Sequence, residues 1–437
     1  MLKRKAYEKL LEWKQQQAGK TAILIEGARR VGKSTLAKEF GLNEYKSCLV
    51  IDFFQAPDEV KQYFRDYSND FDALFLYLSA YYSVELFDRE SLVVFDEVQM
   101  FPFARGLVKY LVADGRYDYV ETGSLLSIKQ NIQDIVVPSE EQTLELAPFD
   151  FEEFLWGMGI SEDMIGKLCG YLHSKTVIPE AIHSQMMNYY RQYVATGGMP
   201  EVVQKYINTK DFREVDKVQR SLLQGYQYDI AHYATAEEKV KAEKCYLSLA
   251  KQLLDKENHK FQYKEIEHGG RAQKYYSSVE WLLRADMVQL CKLVTDVRFD
   301  LDDYARDDFF RAYTTDLSLL MAMKDFSLKQ HIVENTLTGN SKGGIYECAI
   351  ADALYKKGYQ IYFYKNETAR KEIDVIIQKD GKIVPIEVKS GNTQANSLKW
   401  LMKNNKNISY GYKFADGNIG VSEEGIITLP LYMVAFI

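Results

Sequence analysis

Residues Thr21–Phe40 read TAILIEGARRVGKSTLAKEF. Ala22 to Ile25 is a short apolar run of the kind a buried strand needs, and it opens into Gly27-Ala28-Arg29-Arg30-Val31-Gly32-Lys33-Ser34, the pattern G-x-x-x-x-G-K-[ST]. The glycines let the backbone wind tightly enough to aim successive N–H groups at phosphate oxygens, and the helix that follows presents its positive dipole end to the same anion. Leu36, Ala37 and Phe40 supply that helix's apolar face. Strand, loop and helix therefore occur in the order a phosphate-binding loop requires. The stretch Gly27 to Thr35 is the expected nucleotide-binding segment, with Lys33 on the β- and γ-phosphates of ATP and the Ser34 hydroxyl on Mg²⁺. The competing reading is a Gly-rich turn between a strand and a helix.

Working outward, Lys3 to Gln17 reads as an amphipathic helix beside this site, Ser47 to Asp52 as a second apolar strand, and Phe71 to Leu86 as a helix. Ser91 to Gln99, SLVVFDEVQ, is an apolar run ending in two carboxylates. Asp96, at the carboxyl end of a buried strand, is placed to hold the Mg²⁺ shell, and Glu97 to orient or deprotonate an attacking water. Phe103 to Val112 reads as a helix and Tyr117 to Ser124 as a further strand, whose Thr122 and Ser124 can sense the γ-phosphate or place water. Alternating strands and helices with the loop after the first strand predict a parallel sheet wrapped by helices, with ligand at the strands' carboxyl ends.

The composition is that of an ordinary folded protein: 437 residues, 46% hydrophobic and 27% charged. A formal net charge of −7 argues against whole-protein electrostatic steering to nucleic acid while leaving local basic patches open. The five cysteines are far apart and never in C-x-x-C spacing, which points to neither a disulfide framework nor a zinc site. No apolar run approaches the roughly 18 residues that a membrane-spanning helix needs. A cytoplasmic protein without a membrane partner is the expectation.

GARRVGKSTL, VVFDEVQMFP, ETGS, LELAPFDFEEFL (Leu144 to Leu155) and YVATGGMPEVV (Tyr193 to Val203) resemble, in that order, successive blocks of a large group of bacterial and archaeal predicted ATPases of the AAA+ superfamily. The resemblance continues to the C-terminus. It departs at one place: such proteins often carry a Gly-Arg before the L-x-P-x-x-F-x-E-F block, where this chain has PSEEQTLEL. Arg29, Arg30, Arg105 and Arg116 are the candidates for a trans-acting finger, each with a surface or phosphate-proximal role as the alternative. The mostly helical stretch from Ile160 to Tyr233 resembles the lid of AAA+ proteins, with Gly197 and Gly198 making a tight turn between two of its helices. Residues 237–294, with a Gly269-Gly270 turn, a helix from Lys274 to Ala285 and a strand from Met287 to Leu293, resemble a winged helix. Arg271, Lys274 and Arg284 give it modest positive charge, and either DNA contact or protein docking would suit it.

Toward the C-terminus, Gly343 to Lys357 reads as a helix bearing Glu347, and two strands, Glu372 to Ile377 and Ile383 to Lys389, flank an Asp380-Gly381 hairpin turn. With those two residues at the centre of the turn, Asp374 falls directly opposite Glu387, and Lys389 shares the face of Glu387. Opposed carboxylates repel unless a cation or solvent separates them, and a divalent metal is the natural resolution. Asp, Glu-x-Lys and an upstream helical Glu resemble the restriction-endonuclease-like PD-(D/E)xK site. That resemblance implies Glu347, Asp374 and Glu387 as metal ligands and Lys389 as the catalytic lysine. A solvated acidic sheet face, or a nuclease fold that only binds, are the alternatives.

The expectation for the whole is an α/β chain. An AAA-type P-loop ATPase domain spans 1–157, a helical lid 158–236, a winged-helix-like domain 237–315 and a restriction-endonuclease-like domain 316–437. Its expected function is Mg²⁺-dependent ATP binding and hydrolysis, coupled to a nuclease-like domain that acts on or binds DNA. The alternative is a nucleotide-switched protein-interaction module with an inactive nuclease-like domain. DNA, a protein partner and an oligomer are all compatible with the sequence.

Overall fold

A computed structural model describes residues 2–17, 19–124, 140–254, 260–389, 391 and 393–437. The chain divides into two compact units, Met1–Ala147 with Arg284–Asp286, and Pro148–Leu283 with Met287–Ile437. The helix Phe151–Gly157, expected in the ATPase domain, falls in the second unit. Pro138 and Ser139 of the PSEEQTLEL stretch lie outside the described residues. Among the described residues, no helix is long and apolar enough to cross a membrane.

The first unit is built on five parallel strands: β1 (Ala22–Gly27), β2 (Ser47–Asp52), β3 (Ser91–Asp96), β4 (Asp118–Ser124) and β5 (Glu141–Glu145). Their order is β2-β3-β4-β1-β5, so β4 separates the loop-bearing β1 from the acid-bearing β3. Every residue of β3 and β4 is buried, which explains why β3 reads as a continuous apolar run instead of an alternating one. One face packs Phe53, Phe64, Phe95 and Phe101 against each other at ring separations of 5.4 to 5.9 Å. Each such ring contributes about 1.5–3 kcal/mol when fully buried. Gly27 lies opposite Ser124, and Asp52 opposite Asp96, so the polar strand ends gather at one edge.

The second unit carries an eight-stranded mixed sheet in the order β12-β13-β11-β10-β9-β8-β6-β7. Its strands are β6 (Val288–Val294), β7 (Ala305–Thr314), β8 (Tyr362–Asn366), β9 (Lys371–Lys379), β10 (Lys382–Val388), β11 (Gly411–Ala415), β12 (Gly420–Val421) and β13 (Ile426–Pro430). Strand β6, expected in a separate winged-helix-like module, pairs with β7 and joins the C-terminal strands through parallel pairing of Lys292 with Tyr362. The expected border at 315/316 thus falls inside one sheet. Tyr263–Glu265 forms a short 3-10 turn, and the chain reverses at Gly270, whose N–H donates to the Glu267 carbonyl at 3.0 Å.

The helices Glu180–Thr196 and Pro200–Thr209 meet at the Gly197-Gly198 turn, and this turn is buried within the second unit. Gly197 has φ +76°, and a Cβ there would lie 2.1 Å from the Ser318 backbone nitrogen. The Gly198 N–H donates to both carboxylate oxygens of Asp316, at 3.0 and 2.9 Å. Lys356 Nζ in turn reaches Asp316 at 2.6 Å, Asp352 at 2.7 Å and the Tyr193 hydroxyl at 3.0 Å. One buried ammonium therefore faces two buried carboxylates.

That imbalance has a pH consequence. Burial pushes the Asp352 carboxyl up to about 7, against the pull of Lys356 and with a further push from Asp316, whereas an unfolded aspartate titrates near about 3.9. Between those two values the fold holds a proton that the unfolded chain has released, so this group's contribution to stability declines as pH rises through the window. Asp352→Asn should flatten the decline and unfold at a higher temperature than wild type at pH 8. Thermal unfolding of both proteins at pH 5 and pH 8 measures this, and an unchanged wild-type slope in the variant would contradict it.

Candidate functional site

The loop between β1 and the helix Lys33–Glu44 takes the conformations that its glycines allow. Gly32 sits at the helix N-cap with φ +94°, and no side chain caps the first turn, which leaves its N–H groups directed at the loop. Gly27 has φ +147°, and a Cβ there would come within 2.3 Å of the Leu146 carbonyl oxygen. Val31 and Ala28 are buried in the core and offer the site only their backbones, while Arg30, Ser34 and Thr35 are exposed and Arg29 half-buried. Arg4, just before the first helix, donates to the Val31 carbonyl at 3.2 Å and braces the loop from behind.

Lys33 is 6% exposed, and its Nζ donates to the loop's own carbonyls, Gly27 at 3.1 Å and Ala28 at 2.8 Å. Burial pulls this ammonium down to about 8, with the Glu97 charge acting the other way. The Ser34 hydroxyl donates to Asp96 Oδ1 at 2.7 Å. Thr122 Oγ1 donates to the same oxygen and accepts the Glu97 N–H at 3.1 Å. Because β4 lies between β1 and β3, the Thr122 hydroxyl stands where both acids can be held from one point. Glu97 is in the left-handed region at φ +52°, and its carboxylate accepts from the Gln99 amide. Ser124 is buried at the end of β4, level with Gly27. Ser34 and Asp96, one hydroxyl and one carboxylate already in contact, are the donor set that a phosphate-bound Mg²⁺ would take from a protein.

Two of the finger candidates are occupied inside the unit. Arg105 is 3% exposed and forks onto Glu141 at 2.8 and 3.2 Å. Arg116 is paired with Asp114 and Asp72, each at 2.7 Å. Neither offers a free guanidinium to a neighbouring nucleotide.

In the second unit the hairpin register is as the turn predicts. Asp380 and Gly381 have φ +49° and +71°, Ile386 pairs with Val375, and the next step sets Glu387 opposite Asp374. Glu347, Asp374, Glu387 and Lys389 line one cavity of about 470 Å³. They are not assembled as a metal-ligand set: among the described residues, no group of three His, Cys, Asp or Glu side chains is placed to hold a metal ion. Each acid also has a partner from the protein. Glu387 takes Lys389 at 2.6 Å and the Leu398 N–H, in the first turn of the helix Asn396–Asn404, at 3.0 Å. Asp374 accepts the Val388 N–H at 2.8 Å. Glu347 accepts from Arg311 at 2.6 Å and from the Tyr313 hydroxyl at 2.8 Å. Arg311 also bonds Glu372 and the Asp374 carbonyl. Burial, then the Glu347 charge, push the Asp374 carboxyl up to about 7.

Residues 19–155 match the family model described as AAA domain. That span holds all five strands of the first sheet and every residue expected at the nucleotide site. Two further spans match families described as domains of unknown function, residues 187–330 (DUF8612) and 342–433 (DUF4143). No curated protein matches the chain. Among solved structures, it is similar to AMPPCP-bound DnaA from Aquifex aeolicus, at 12% identity over 64% of this chain and 86% of that one, with a TM-score of 0.31. It is also similar to the ORC1 protein of Aeropyrum pernix in complex with DNA, at 10% identity over 77% and 93% of the two chains and a TM-score of 0.27. A third is Cdc6p from Pyrobaculum aerophilum, at 12% identity over 76% and 94% with a TM-score of 0.26. At these scores no residue role passes from them to this chain.

Sequence reasoning missed Arg4, Gln99 and Arg311. Gln99 closes the V-F-D-E-V-Q run two residues after Glu97, a spacing that could have drawn notice. Arg311 lies in a different matched span from Glu347, and only the pairing of β6 with β8 brings β7 near the acids.

Proposed function

We propose that the chain binds Mg²⁺-ATP at the carboxyl ends of β1, β3 and β4 and hydrolyses it. The observation that carries this reading is the convergence of Lys33, Ser34, Asp96 and Thr122 behind an uncapped helix N-terminus. The loop N–H groups and the buried Lys33 ammonium neutralise phosphate oxygens, and Ser34 with Asp96 orients the metal side of the nucleotide. Ser34 and Asp96 would hold Mg²⁺, whose positive charge would offset that of the phosphate oxygens. Glu97, fixed through its backbone by Thr122 and through its carboxylate by Gln99, orients the attacking water and accepts its proton. Asp96→Asn should lower ATP turnover by about 10²-fold or more, on the scale of removing one preorganised charged group from a reaction site. Turnover equal to wild type in a steady-state phosphate-release assay would sink the assignment.

For the second unit the finer expectation was a nuclease-like domain acting on or binding DNA. The ion pairs of Arg311 with Glu347 and of Lys389 with Glu387 support binding over metal-dependent cleavage. In this reading nucleotide turnover in the first unit resets a binding activity in the second, and a DNA or protein partner remains its natural object.

A further inference from the structure

In the C-terminal cavity the fold places a cation of its own beside the acids. Arg311 is 7% exposed and spans Glu347, Glu372 and the Asp374 carbonyl, and its ring-facing side lies 4.5 Å from the Phe363 centroid. A guanidinium held by two carboxylates, a carbonyl and an aromatic face is fixed in place and stays charged at any working pH. It stands beside Glu347 and Asp374, two of the three acids expected to hold a metal.

The wall of the same cavity is basic. Lys260, Lys365, Arg370 and Lys371 line it beside a single further acid, Glu367, which Lys365 takes at 2.9 Å. Among the described residues, Lys260, Arg370 and Lys371 form no ion pair within 4 Å, although Lys260 lies 4.5 Å over the Phe309 ring and its charge helps to hold the Asp308 carboxyl down. Arg370 and Lys371, with Lys260 beside them, around a concave site of about 470 Å³ have the size and sign for a phosphate group and its substituent.

We propose that this cavity is a metal-independent binding site for a phosphate-bearing ligand, in which Arg311 replaces the divalent ion and Lys260, Arg370 and Lys371 receive the phosphate. The inference is independent of the ATP site, since it concerns only residues of the second unit. Its source of phosphate is either a nucleic-acid strand or a small phosphorylated molecule, and two probes separate them.

The full-length chain is titrated with a fluorescent single-stranded oligonucleotide and, by calorimetry, with inorganic phosphate, each in EDTA and in Mg²⁺. At least one probe should bind wild type with the same Kd in both buffers, and Arg370→Glu with Lys371→Glu should weaken that binding by about tenfold or more while the unfolding temperature stays at the wild-type value. Oligonucleotide binding assigns a strand, and phosphate binding alone assigns a small ligand. A second arm titrates Mn²⁺ in the absence of nucleotide. Wild type should show no Mn²⁺ site that Asp374→Ala removes, whereas Arg311→Gln, which takes the guanidinium away from Glu347 and Glu372, should gain one. Failure of both probes to bind wild type, binding that requires the divalent ion, or binding unchanged in the charge-reversed variant would each overturn the proposal. So would plasmid cleavage in Mg²⁺ or Mn²⁺ that Asp374→Ala abolishes.

Discussion

Glu97→Gln should bind ATP as wild type does and hydrolyse it about 10²–10⁴-fold more slowly, the range expected when a positioned general base is lost. The substitution keeps the size of the side chain and its capacity to meet Gln99, so the left-handed backbone at φ +52° and the bond from the Glu97 N–H to Thr122 should survive. Only the carboxylate's negative charge and its ability to take a proton are lost. Binding and chemistry therefore separate: a fluorescent nucleotide should report an unchanged Kd while phosphate release collapses. Equal loss of both would mean that Glu97 holds the site together instead of serving the reaction, and unchanged turnover would remove it from the mechanism.

The largest effect on stability should come from Lys356→Met. Among the described residues, Lys356 is the ammonium that faces Asp316 and Asp352, and its side chain is 1% exposed against 0% and 3% for the two acids. The helix Gly339–Lys356 ends on it, and through Asp316 it fixes the Gly197-Gly198 turn. Removing a single partner from a buried ion cluster leaves uncompensated charge and typically costs about 3–5 kcal/mol. Urea unfolding should show that loss. Adding Asp316→Asn should recover only part of it, because Asp316 also accepts the Gly198 and Ser318 N–H groups, for which a neutral amide is the weaker acceptor. A Lys356→Met protein as stable as wild type would show that this cluster does not join the turn to the C-terminal elements.

The first unit was largely legible because its signals are local. The apolar run, the glycine spacing and the helix after it sit within twenty consecutive residues, and the D-E pair terminates a strand whose burial its composition announces. The sheet order was not legible: nothing in residues 118–124 says that β4 inserts between β1 and β3, and that insertion is what places Thr122 on both Asp96 and Glu97. The hairpin register was legible for the opposite of a long-range reason, since a two-residue turn with a glycine leaves one way to count. What the count could not supply was the cation. Arg311 reaches Glu372 across 61 positions of sequence through a sheet edge that the expected module border had divided. Lys356 was equally silent. It stands next to Lys357 at a helix end, where a pair of lysines ordinarily marks a solvated terminus, and only the packing of Asp316 and Tyr193 around it reveals which of the two is buried. Arg105 misled in the same way, since an arginine after the acidic strand suggests a finger until Glu141 is seen beside it.

The central claim is that Gly27 to Ser34 bind the phosphates of ATP, and the most direct measurement is a calorimetric titration of ATP with Mg²⁺ into wild type and Lys33→Ala. One site per chain should fill in wild type, and binding in the variant should be weakened by about 10²-fold or abolished, since the buried ammonium is the site's principal fixed positive charge. Equal affinity in the two proteins, or no heat of binding in wild type, would contradict the account.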